Sequence, residues 1–62
     1  SGAAGIVLVH NHPGGSIEPS NEDITTTKKI QKAAKLIGLQ FMDHIIIGED
    51  GYYSFRESGD LD

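Results

Sequence analysis

The hydrophobic pattern opens with an unbroken apolar run, Gly5-Ile6-Val7-Leu8-Val9, rich in β-branched residues. Such a run reads as a strand covered on both faces. Pro13-Gly14-Gly15 breaks it, and a loop runs on to Pro19. Ser20 then offers an N-cap, with Asn21, Glu22 and Asp23 in a first turn where acidic groups suit the helix dipole. Ile30, Ala33, Ala34 and Ile37 recur at helical spacing and predict one apolar helix face, closed by Gly38 at C′. Thr25, Thr26 and Thr27 form helix poorly, so the early helix is expected to lean on tertiary contacts. Phe41 to Ile47 reads as a second strand, and Asp50-Gly51 signals a hairpin into a third over Tyr52 to Phe55. The polar end "RESGDLD" is expected to fray. The predicted order is β-α-β-β, an α/β class.

Length and charge narrow this picture. A chain of 62 residues holds one domain at most, and one this small buries only about 60% of its unfolded surface. There is no cysteine, so no disulfide can reinforce the core. That leaves a metal, a partner chain or further strands, and the chain reads as part of a longer protein. Free apolar strand edges predict a homo-oligomer. The lack of cysteine favours a reducing, cytoplasmic compartment, and no apolar segment is long enough to span a membrane. A net charge of -4 with five Lys+Arg argues against nucleic-acid binding by this segment.

The chemistry gathers in "VLVHNHPGGSIEPSNED". Side chains at i and i+2 of an extended segment share a side, so His10 and His12 are expected to project together from the strand end. Two neutral imidazoles so placed can share a metal ion. Asp23 lies three residues after Ser20, in the first helical turn, and the Gly/Pro loop allows that turn to fold back over the histidines. Two His and one Asp leave a fourth position open, the mark of a catalytic zinc site. The rival reading of S-x-x-D is a capping box, with Asp23 reaching back to the Ser20 N–H. For Asp23 the two roles are expected to compete, and the histidine pair favours the ligand.

H-x-H-x7-S-x-x-D, here "HNHPGGSIEPSNED", resembles the JAMM metal-binding motif of JAB/MPN metalloprotease-like domains. With "PSNED" and "LIGLQFMDHIIIGEDGYYSFRESG", the chain is similar to the bacterial RadC branch, which carries a DNA-repair name. The resemblance implies a β-α-β-β portion of a cytidine-deaminase-like mixed sheet. It implies Zn2+ held by His10, His12 and Asp23, with Ser20 supporting the bound water or the oxyanion, and hydrolysis of a peptide or isopeptide bond. It also implies a general-base glutamate on a strand well upstream, which is absent here. None of Glu18, Glu22, Glu49 and Glu57 matches that position, and Glu18 is the one that a loop could bring near the metal. The chain is therefore expected to carry the metal-ligand half of the site and to be inactive alone. Two other readings stay open: a DNA-repair-associated accessory factor, and a non-catalytic interaction module.

The remaining candidates read as structural. His44, in "MDHIII", is expected to be partly buried with a backbone partner rather than to ligate a metal. Tyr52, Tyr53 and Phe55 alternate between core and surface. Lys28, Lys29, Lys32 and Lys35 read as a solvated helix face, and Gly14 and Gly15 as turn residues.

Overall fold

The computed structural model describes residues 4–14 and 16–61. Strand β1 spans Gly5–Asn11, helix α1 Asn21–Leu36, strand β2 Gln40–Ile47 and strand β3 Tyr52–Ser54. The sheet order is β1-β2-β3, with β1 parallel to β2 and β3 antiparallel to it. This is the β-α-β-β order that the pattern predicts, in the mixed sheet that the resemblance implies. A parallel pair needs a crossover, and α1 supplies it.

Helix α1 begins where its cap predicts. Ser20 is extended at the N-cap, its side chain accepts from the Asp23 N–H, and a capping box is complete. Past the C-cap Ile37 the chain leaves the helix at Gly38, whose φ of 79° is left-handed and strains any side chain. The helix's buried residues, however, are Asp23, Thr27 and Ala34. That stripe starts from the polar end of the helix and corrects the predicted Ile30-Ala33-Ala34-Ile37 face. Ala34 is buried and Ile30 half-buried, but Ala33 and Ile37 are exposed. Hydrophobic spacing favoured the later turns alone, whereas the buried stripe runs from Asp23 and Thr27 in the first two turns to Ala34 near the end. Lys28, Lys29, Lys32 and Lys35 are solvated, as expected.

A register shift at Ile6/Val7 inserts an extra residue in β2, so Phe41 pairs with Ile6 and His44 with Leu8. Phe41 and His44 thereby face α1 together although they are three residues apart. With Ile46, which is fully buried, they form the floor beneath the helix. The other face of β1 is open: Val7 and Val9 are exposed, so the strand is covered on one side rather than two.

Two further expectations need correction. The polar tail is folded back: Asp60 N–H donates to the Phe55 carbonyl at 2.8 Å, and the Tyr53 hydroxyl donates to Asp60. Phe55 lies just past β3 in that turn, and it is buried. Gly14 has a φ of 94°, fitting its turn, while Gly15 lies outside the described residues.

Candidate metal centre

The extended backbone does persist past the strand end. His12 N–H donates to the Ile47 carbonyl at 3.0 Å, so sheet pairing continues through the histidine pair. Both rings consequently sit on the helix side, with centroids 4.5 Å apart and edge to face. The first turn of α1 lowers Asp23 between them. Its Oδ1 lies 3.1 Å from His10 Nδ1 and its Oδ2 lies 3.2 Å from His12 Nε2. His10 is the open side of the group, its side chain 45% exposed against 20% for His12 and 10% for Asp23.

The capping and facing roles of Asp23, expected to compete, coexist. Asp23 Oδ2 accepts from Ser20 N–H at 2.9 Å while Ser20 Oγ accepts from Asp23 N–H at 3.1 Å. A carboxylate has about four lone-pair sites, enough for a cap bond and two neighbours. Burial raises the Asp23 pKa, but the Ser20 hydrogen bonds and the two histidines outweigh it, and the carboxyl titrates below its ordinary value. Asp23 is thus held as an anion facing two imidazole nitrogens.

Protonation sharpens the geometry. His12 Nδ1 lies 3.0 Å from the Ser16 carbonyl oxygen. A carbonyl only accepts, so Nδ1 carries the proton and the neutral ring turns an Nε2 lone pair toward Asp23 Oδ2. Two acceptors at that distance repel unless the ring is protonated or a cation lies between them. One ligand atom from each of His10, His12 and Asp23 lies within 4.8 Å of the others. Ligand bonds of about 2.0–2.1 Å in a tetrahedron put neighbouring ligand atoms about 3.3 Å apart. Each His–Asp separation is close to that edge, one through each oxygen of Asp23, and the Ser16 carbonyl plays the outer partner that ligating histidines ordinarily have. The donor set fits a divalent ion such as zinc. Among the described residues no glutamate joins this group, Glu18 included.

Under the site lies the third histidine, His44, which is buried and whose partner differs from expectation. His44 Nδ1 is 2.5 Å from Thr27 Oγ1, so its bond is to a side chain of α1 and not to backbone. Burial lowers the His44 pKa; Asp23 and Asp43 push it up and His10 and His12 push it down, with lowering the result. Asp43, its neighbour, accepts from His44 N–H at 2.7 Å, Arg56 N–H at 3.0 Å and the Ser54 hydroxyl at 2.5 Å. Thr27 had no assigned role in the sequence. The available signal is its position four residues after Asp23, which puts both on one helix face.

The family model for the RadC-like JAB domain matches residues 1–60. The chain belongs to that family. Curated relatives called UPF0758 protein accompany the match: one from Porphyromonas gingivalis is 52% identical over 58 residues, covering 92% of this chain and 26% of the relative. Another from Aquifex aeolicus is 49% identical over 59 residues, covering 95% and 26%. A third from Thermotoga maritima is 44% identical over 59 residues, covering 95% and 27%. This RadC-like JAB domain therefore spans about a quarter of the length of those relatives. Among its described residues, no helix is long and apolar enough to cross a membrane.

Proposed function

We propose that this RadC-like JAB domain holds a zinc ion through His10, His12 and Asp23 and serves a JAMM-type hydrolase that cleaves a peptide or isopeptide bond. The reading rests chiefly on one observation: Asp23 turns one oxygen to each histidine, at 3.1 and 3.2 Å, and one ligand atom from each of the three residues lies within 4.8 Å of the others, close enough to share one ion. When bound, zinc supplies Lewis acidity, polarising a carbonyl and making a water acidic near neutral pH.

The chain's own residues divide the remaining work. His12 is kept in one tautomer by Ser16, and Asp23 is kept ionised and aimed by the Ser20 backbone. Ser20 Oγ accepts the Asp23 N–H, which leaves its own hydrogen free to donate toward a water or a developing oxyanion. No described glutamate stands in the cluster to carry a proton to a leaving amine. On this reading the proton carrier comes from elsewhere in the active protein, and the chain's part is to hold and orient the metal.

Metal analysis of the purified protein tests the reading. Zinc is expected near one equivalent, falling toward zero in His12→Ala, with any peptide or isopeptide hydrolysis lost in parallel. A metal-free protein whose behaviour is indifferent to His12→Ala would falsify it. Full metal occupancy with no cleavage of peptide or isopeptide substrates would instead favour the interaction module.

A further inference from the structure

Beneath the three candidate ligands, Thr27 and His44 form a polar pair at the centre of the helix–sheet contact. Thr27 is 1% exposed and His44 4%. Thr27 Oγ1 donates to the Asp23 backbone carbonyl at 2.6 Å and lies 2.5 Å from His44 Nδ1. A hydroxyl has one hydrogen, and the carbonyl can only accept it. His44 Nδ1 must then carry a proton and donate to Thr27 Oγ1. The direction of the whole relay follows: His44 to Thr27, Thr27 to the backbone of Asp23.

The same ring reaches the other ligand strand. His44 stacks on Phe55 with centroids 4.7 Å apart and 6° between planes, and it lies 6.1 Å from His10 at 22°. Phe55 is 1% exposed and forms the base of this stack. One side chain of β2 therefore touches the helix that carries Asp23 and lies against the ring of His10. An apolar pair would fill the same space without the cost of desolvating a hydroxyl and an imidazole. What the polar pair adds is direction, since a hydrogen bond fixes the helix's height and rotation on the sheet where van der Waals contact tolerates sliding.

We propose that Thr27 and His44 are positioning residues for the metal centre, a buried latch that sets Asp23 against His10 and so determines the affinity and coordination geometry of the ion. The inference rests on the metal-binding reading. Neither residue touches the metal or the substrate; both act through the ligands. Loss of a partner bonded directly to a ligand's side chain typically lowers metal affinity about 10–100-fold, and the same range is expected here, where the bond reaches Asp23 through its backbone carbonyl.

Co2+, a spectroscopic stand-in for zinc, is the probe, added to the purified protein. Thr27→Val, which keeps shape and removes the hydroxyl, should weaken Co2+ binding about 10–100-fold and alter the visible absorption of the bound ion. Thr27→Ser should restore both, and His44→Asn, which retains a donor near the Nδ1 position, should lie closer to the original protein than His44→Phe. Thr27→Val with unchanged affinity and spectrum overturns the latch while leaving the metal reading intact. A protein that takes up no Co2+ before any substitution overturns both. The unsubstituted protein supplies a check that does not depend on any variant folding: nitrogen-15 spectra should show His44 protonated at Nδ1, and a ring protonated at Nε2 alone contradicts the relay.

Discussion

The two faces of the sheet depart from a simple division into apolar inside and polar outside. The face beneath α1 is the buried one, yet it carries His10, His44 and, from the helix, Asp23 and Thr27. The opposite face is open, yet it presents Val7 at 48% exposure, Val9 at 64%, Ile47 at 43% and Tyr52 at 55%. Burial of polar groups costs stability unless each is bonded, and here each is: among the described residues no buried side-chain nitrogen or oxygen lacks a partner. The lesson is that the helix is seated by directed bonds as much as by apolar area. The exposed valines show that apolar patterning alone did not decide which face α1 would cover.

The contrast between the two faces depends most on the floor of the covered one. Phe55→Ala removes the ring on which His44 stacks and should cost about 3–5 kcal/mol in denaturant unfolding. A loss below about 1 kcal/mol would mean that the covered face is not the core.

Next in size is the helix entry. Ser20→Ala removes the acceptor for Asp23 N–H and should cost about 1 kcal/mol, measured in the presence of a chelator so that cap and metal are separated. Ser20→Asp should recover most of that loss, because a carboxylate caps as well as a hydroxyl.

Acid should act on Asp43, whose pKa is lowered because bonds from Ser54, Arg56 and His44 outweigh the raising effect of burial. A carboxyl with a depressed folded pKa binds protons more readily when unfolded. Its contribution is complete above the unfolded value of about 3.9 and is lost as pH falls through the folded value. His44, with its lowered pKa, adds a trend of the same sign in a higher pH range: stability should fall as pH drops below about 6.5, where the unfolded imidazole gains its proton first. Unfolding curves across pH 3 to 8 check both, and Asp43→Asn should flatten the acidic limb.

The smallest effect is expected on the open face. Val9→Thr keeps the β-branch and should change stability by less than about 0.5 kcal/mol. A loss above about 1.5 kcal/mol would show that something covers Val9 in solution, and the contrast between the faces would then be one of partners rather than of polarity.

Much of the site could be read from local spacing. Alternation put His10 and His12 on one side, and S-x-x-D placed Asp23 in the first turn. Both are rules about neighbours within one element, and such rules need no fold. The helix face was read less well, because Ala33 and Ile37 fall on the predicted stripe yet are exposed, Ile37 at 71%. Hydrophobic spacing reports that a face exists without saying whether the sheet meets it.

The sequence by itself therefore determined the elements, the cap and the identity of the candidate ligands, since each follows from bonding and sterics within a few residues. Only the tertiary structure decided that Asp23 caps and faces the histidines at once, and that the extra residue in β2 turns Phe41 and His44 to the same side. It alone joined Thr27 to His44, residues 17 apart in the chain. Those facts depend on how high and at what rotation a helix sits on a sheet. That is set by the sum of contacts between distant segments, which no local periodicity encodes.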